Sequence, residues 1–346
     1  MSDEQRRILE MVADGTLSQE DADRLLEVLG PGPEAPAEEA PADDLADHIT
    51  AAVDNIVDKA MNMADRTIAE QDTAPMDADP QTSLLALAGD TEGDGVHSLV
   101  ISWVDGQVEL VPWEGSELRV TETANRPMRE DEQMSQTLEN GVLTVEWTRK
   151  RRRIGPLNLR KRLVVEIPAG VALRRVEVNS VSAPVRLEGT AASGELTATT
   201  VSGKLKGFDL AAPTLALSTV SGKLEAQGFA GDTVSLNTVS GKLEAHGSAP
   251  SLKAETVSGR IELGLEDLPQ DLHANTVSGR IETTLLLPPE DPRGFTVEYE
   301  SLSGTFECDF PLIGELKKHH GKAVFGDGSA RISLETTSGK IELHRA

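Results

Sequence analysis

The sequence predicts a mainly β protein: a single-stranded β-helix, or β-solenoid, of ~19-residue coils, preceded by a small N-terminal α-helical hairpin and an extra amphipathic helix. Three observations carry this reading. The phrase Thr-Val-Ser-Gly-Lys-Leu, or its Arg-Ile variant, starts at Thr200, Thr219, Thr238, Thr256 and Thr276. Its glycines, Gly203, Gly222, Gly241, Gly259 and Gly279, are spaced by 19, 19, 18 and 20 residues, one short supersecondary unit per repeat. From residue 95 apolar and polar residues alternate with a period of two, whereas helical spacing is confined to the N-terminal quarter.

Residues 1–30 read as a helical hairpin. Ile8, Met11 and Val12 recur at helical spacing and Gly15 interrupts; Ser18 and Asp21 then form a capping signal before Ala22, Leu25, Leu26 and Leu29. A piece this short lies below the roughly 40 residues at which a core becomes self-sufficient. Its apolar stripe, with Ile8, Val12, Leu25, Leu26 and Leu29, is therefore expected to be covered by a partner, a second copy or the rest of the chain. Residues 31–42 hold four prolines and three glutamates with no large apolar group and read as an acidic linker. Over 43–72 Leu45, Ile49, Val53, Ile56, Ala60 and Met63 mark an amphipathic helix. Its polar face is acidic, the opposite of a membrane-surface anchor, so helix-to-helix association is expected instead. Residues 73–94 return to Asp, Pro, Thr and Gly and read as a flexible linker with a small sticky island at Leu84, Leu85 and Leu87.

Residues 95–346 form the repeat domain. Within one unit Val234, Leu236 and Thr238 share one parity and Leu243 and Ala245 the other, so the chain turns a corner between 238 and 239. Ser202, Ser221, Ser240, Ser258 and Ser278 are then one column beside the glycine column, with hydroxyls placed to satisfy corner backbone. Weaker copies, Val181-Ser182-Ala183 before the series and Leu302-Ser303-Gly304 and Thr337-Ser338-Gly339 after it, read as end caps. Outside the corner, Lys204, Lys223, Lys242, Arg260 and Arg280 form a cationic row and Glu225, Glu244, Glu262 and Glu282 an anionic one, which largely cancel. A basic cluster, Arg149 to Arg153 followed by Arg160, Lys161 and Arg162, reads as a loop or hairpin tip. Arg151, Arg152 and Arg153 are its candidate interaction residues, with the acidic N-terminal segment the first candidate to dock there.

The chain of 346 residues has a formal net charge of −25, which disfavours nucleic acid and anionic lipid as partners. The acidity is local: residues 1–94 hold 24 acidic and 5 basic side chains. No apolar run approaches the roughly 20 residues of a membrane-spanning helix, and no secretory signal is apparent. With a single cysteine, Cys308, these features make the cytoplasm the expected location, or the inner membrane through a partner. The serine column brings no recurring His and carboxylate, so nucleophilic catalysis is not expected. No metal-ligand spacing and no phosphate-binding glycine loop occur, so neither metal nor cofactor is expected.

Ile8-Leu9-Glu10-Met11-Val12-Ala13-Asp14-Gly15-Thr16-Leu17-Ser18, with Glu20, Ala22 and Leu25-Leu26, resembles the SHOCT-like helical module that opens bacterial LiaX and YvlB-like proteins. The Thr-Val-Ser-Gly-Lys-Leu-Glu repeats, with Gly326 to Ile332 and Thr337 to Ile341, resemble the adhesin-type β-strand-repeat domain of unknown function in that family. The resemblance implies a non-enzymatic protein of the bacterial cell-envelope stress response, with some relatives encoded beside PspC-type membrane proteins and some exposed at the cell surface. Two functions are therefore expected in order. The first is an interaction or scaffold protein with the solenoid as a rigid platform and the helical module mediating association. The second is a self-assembling structural β-helix protein similar to bactofilins.

Overall fold

The computed structural model describes residues 80–87, 95–148, 159–288 and 291–346. The expected hairpin at 1–30, the linker at 31–42, the helix at 43–72 and Arg151, Arg152 and Arg153 lie outside the described residues. What is described is almost wholly β. In chain order the strands are β1 Gln81–Leu85, β2 Ser98–Trp103, β3 Gln107–Trp113, β4 Leu118–Ala124, β5 Ser135–Glu139, β6 Val142–Glu146, β7 Lys161–Pro168, β8 Ala172–Ser180, β9 Val185–Glu188 and β10 Ala191–Thr200. They continue as β11 Leu205–Phe208, β12 Thr214–Ser221, β13 Leu224–Ala230, β14 Thr233–Ser248, β15 Ser251–Leu265, β16 Asp271–Leu285, β17 Phe295–Cys308, β18 Ile313–Leu316, β19 His320–Phe325 and β20 Ala330–Arg345.

The repeats stack as parallel coils in register. Leu215 pairs with Val234, Val234 with Leu252, and Leu252 with Leu272. Past the corner, Leu224 pairs with Leu243, Leu243 with Ile261, and Ile261 with Ile281. Each coil has two straight runs, 233–238 and 242–248 in β14, joined by a short corner, so the runs must travel in opposite directions for the chain to close on the next coil. One face is built by the first runs and a second face by the return runs. Because successive side chains alternate and neighbouring strands lie about 4.8 Å apart, the inward residues become apolar ladders through a narrow core. A one-residue slip would turn every ladder outward, which fixes the register. Volume is shared across the core. Coils with Leu217 and Leu236 on the first face carry Ala226 and Ala245 on the second, while Ala254 is matched by Leu263, all of them buried.

At both ends of the stack the spatial order departs from the chain order. The Thr337-Ser338-Gly339 copy is not a cap: β20 lies between β16 and β17, with Ile332 paired to both Leu272 and Val297. The Leu302-Ser303-Gly304 coil is the outermost one. The other end repeats the arrangement, because β2 lies between β6 and β8 and β3 between β7 and β9. The first and last coils of the described domain are thus each penultimate in space, held by strands on both sides.

Antiparallel strands finish the ends. β5 covers β6, and β4 followed by β1 covers β7. At the far end β19 and then β18 cover the first half of β17. β1 falls inside the stretch expected as linker 73–94. Gln81 to Leu85 pair with Glu122 to Leu118, and Leu85 and Leu87 pack against the core, so the sticky island is the anchor of an edge strand. Composition hid it because one neighbouring strand supplies all its pairing.

Candidate functional site

The second face carries a staggered ladder of ion pairs. Lys223 reaches Glu225 of its own coil at 3.2 Å and Glu244 of the next at 2.9 Å. Lys242 does the same with Glu244 at 3.1 Å and Glu262 at 2.5 Å, and Arg260 with Glu262 at 2.7 Å and Glu282 at 2.5 Å. Arg280 continues to Glu282 and Glu342, and Lys340 ends the series on Glu342 and Glu307. Parallel in-register stacking causes this, since it places like residues above one another and leaves the diagonal as the attractive contact. Hydrogen bonds from Lys223 and Lys242 hold the Glu244 carboxyl at about 2, well below the ordinary carboxylate range. The same contacts raise the Lys223 and Lys242 ammonium groups. At the coil of Lys204 the anionic row is interrupted by Lys206, which turns to Glu225 at 3.1 Å.

At the corners Ser202, Ser221, Ser240, Ser258 and Ser278 are exposed, in register with one another along the stack. In two of the coils the hydroxyl that reaches corner backbone belongs to a different column. Thr200, Thr219, Thr238, Thr256 and Thr276 are buried, Thr200 Oγ1 accepts the Gly203 N–H at 3.1 Å, and Thr219 Oγ1 donates to the Gly203 carbonyl at 3.4 Å. Beside the serines, Gly203, Gly222, Gly241, Gly259 and Gly279 bring adjacent coils into direct backbone contact. A Cβ on Gly259 would lie 1.8 Å from the Gly241 carbonyl oxygen, and one on Gly279 1.6 Å from that of Gly259. No side chain fits there.

Opposite the corners a groove of 590 Å³ runs along the turns between coils, past Pro213, Asp232, Pro250, Pro269 and Arg293. Its cation is already engaged, because Arg293 pairs with Asp267 at 2.8 Å and Asp291 at 2.7 Å. Among the described residues no group of three His, Cys, Asp or Glu side chains is placed to hold a metal ion. Cys308 is half-buried, and burial pushes its thiol up, away from the reactive thiolate.

One charged centre was not evident as such in the sequence. Lys161, read there as part of the basic cluster, is fully buried, with its Nζ 2.8 Å from Glu122 Oε1, itself fully buried. The ammonium lies 4.5 Å from the ring centroid of Trp147 and 5.7 Å from that of Trp103, and these rings meet edge-on at 5.1 Å. Glu122 also accepts the Met134 N–H at 2.7 Å. Burial lowers the Lys161 pKa against the opposing pull of Glu122. One pair therefore ties β4, β7, the ends of β2 and β6 and the approach to β5. Parity could have revealed it, since Glu122 follows Leu118 and Val120 and Lys161 precedes Leu163 and Val165 on the inward side of their strands.

Among the described residues no helix is long and apolar enough to cross a membrane. A SHOCT-like domain matches residues 3–34. No curated protein matches the sequence. Among solved structures, the chain is similar to a candidate cell-adhesion protein from Clostridium sporogenes, with 10% identity and a TM-score of 0.22, over 78% of this chain and 100% of that one. A candidate adhesin from Parabacteroides distasonis is similar at 8% identity and a TM-score of 0.33, over 79% of this chain and 100% of the other. The repeat domain as a whole, residues 96–344, matches the Toastrack DUF4097 family, and the chain belongs to that family.

Proposed function

We propose that this protein is a non-enzymatic interaction protein in which the solenoid is a rigid recognition platform and the N-terminal SHOCT-like part mediates association. The observation that carries this is the second face. Its charged side chains are fixed in rows by cross-coil pairs from Lys206 to Glu307, giving a periodic surface with its charges already neutralised. Such a surface presents shape and register to a partner, whereas a reaction centre gathers unneutralised groups around one point. The resemblance of the N-terminal segment favours a membrane-embedded stress protein of PspC type as the partner and the cell-envelope stress response as the setting. The protein then works from the cytoplasmic side and is held peripherally at the inner membrane through that partner.

The test is in-cell crosslinking of a tagged copy, followed by mass spectrometry of soluble and membrane fractions with and without an envelope-damaging agent. Recovery with inner-membrane stress proteins, lost on deleting residues 1–72, supports the reading. Recovery only as itself in the soluble fraction overturns it and favours the self-assembling alternative.

A further inference from the structure

The two ends of the stack are finished differently. At the β6/β7 end both faces are covered by antiparallel strands, β5 on one and β4 with β1 on the other. At the β17 end only the first face is covered. There β19 and β18 extend the sheet by two strands beyond Phe295–Glu300. The return run Ser303–Cys308 pairs with β20 on its inner side and with no described strand on its outer side. The end is therefore a step about two strand spacings, or ~10 Å, high. Of the seven large exposed hydrophobic residues in the described structure, Leu302, Ile313, Leu316 and Val324 belong to β17, β18 and β19. Leu316, paired with Gly321, lies on the inward side shared with Tyr299 and so faces the step, whereas Ile313 and Val324, paired with each other and through Val324 with Thr296, lie on the outer face of the same hairpin.

We propose that this stepped end is a dimer interface whose occupant is a second copy of the chain. The step is complementary to itself. A twofold axis parallel to the strands and perpendicular to the stack exchanges the two faces and reverses the stacking direction. It therefore lowers the β18–β19 hairpin of each copy into the open side of the other. β18 runs parallel to the first half of β17, hence opposite to Ser303–Cys308, and the rotation preserves strand direction. The β18 edge of one copy then meets the Ser303–Cys308 edge of the other as an antiparallel pair, twice. Unpaired edges are otherwise templates for uncontrolled association, and a closed isologous contact removes both at once. Such a contact ends with two chains, because the twofold engages the hairpin edge and the open return run of both copies at once. This inference is independent of the partner proposed above.

The experiment is sedimentation equilibrium of the full-length chain and of Ile313→Lys/Leu316→Lys, with Leu138→Lys at the covered end as the control. The wild-type chain and the control are expected at twice the 37.0 kDa chain mass. The double variant is expected to dissociate with a constant raised at least about tenfold. Its central coils should keep wild-type hydrogen-exchange protection, which separates a lost interface from lost folding. Photo-crosslinking from position 305, in a mixture of light and isotopically heavy chains, should join position 305 of one copy to residues 313–316 of another. A monomer at every concentration would overturn the proposal. So would association indifferent to the double variant, the result expected if helices alone hold the chains together. In cells, crosslinks from position 305 only to a different polypeptide would overturn it as well.

Discussion

The middle of the stack and its ends solve the same problem by different means. From Thr214 to Leu285 the strand residues are held by their equivalents in the next coil: the apolar ladders, the glycine contacts and the diagonal ion pairs all repeat. At the ends there is no next coil. There the chain inserts its first and last coils between neighbours, adds antiparallel strands, and fills the core with residues that occur once. These are Lys161, Glu122, Trp103 and Trp147 at one end, and Phe295, Tyr299, Phe306 and Phe310 at the other. Nearest-neighbour repetition stabilises an interior but cannot close it, so the closing elements are individual.

The largest way to break this contrast is at Lys161. Lys161→Met leaves the Glu122 carboxylate buried without its cation and should cost about 3–5 kcal/mol, as breaking a buried pair does. Pairing it with Glu122→Leu should recover most of the loss. Denaturant unfolding of the two variants and their double mutant measures this, and a full additive loss in the double would contradict the account. A smaller break lies in the glycine column. Gly259→Ala drives a methyl group into the Gly241 carbonyl between two fixed coils and should cost at least about 2 kcal/mol. Gly304→Ala meets the Gly339 carbonyl at 1.9 Å, but on the outermost coil, which is free to shift, so it should cost less. Equal losses would mean the end coil is as rigid as the middle.

Acid should weaken the middle through its ladder. Glu244 has its folded pKa depressed to about 2, below its unfolded value, so its contribution is present above the unfolded pKa. That contribution is lost as pH falls from about 4.5 toward 2. A Glu244→Gln variant should show a shallower loss of stability over that window than the wild type. The smallest effect is that of Lys242→Met. It removes two half-exposed pairs and should cost no more than about 1 kcal/mol, less in high salt.

Much of the middle was legible because repetition multiplies a weak signal. The phase change at 238 and 239, the inward Leu and Val positions and the cancelling charge rows could all be read from a recurring phrase. The ends offered one instance of everything. Nothing in Thr337-Ser338-Gly339 distinguishes an inserted coil from a terminal one, because that order is set by how insertions return, not by local pattern. Gln81 to Leu85 read as linker because an edge strand needs few apolar residues. Lys161 was counted with its basic neighbours although its strand parity pointed inward. The serine column likewise reads as the source of corner hydroxyls, whereas the bonds to corner backbone at Gly203 come from the buried Thr200 and Thr219, two residues before the serines of their coils.

The most direct measurement is peptide-resolved hydrogen exchange on the full-length chain. If the last coil is inserted between its neighbours, residues 330–343 should exchange as slowly as 271–283, although they stand almost at the end of the chain. They should also exchange much more slowly than 313–316 on the edge strand. Exchange that is fastest in 330–343 and slows steadily toward the central repeats would contradict the inserted order on which this account rests.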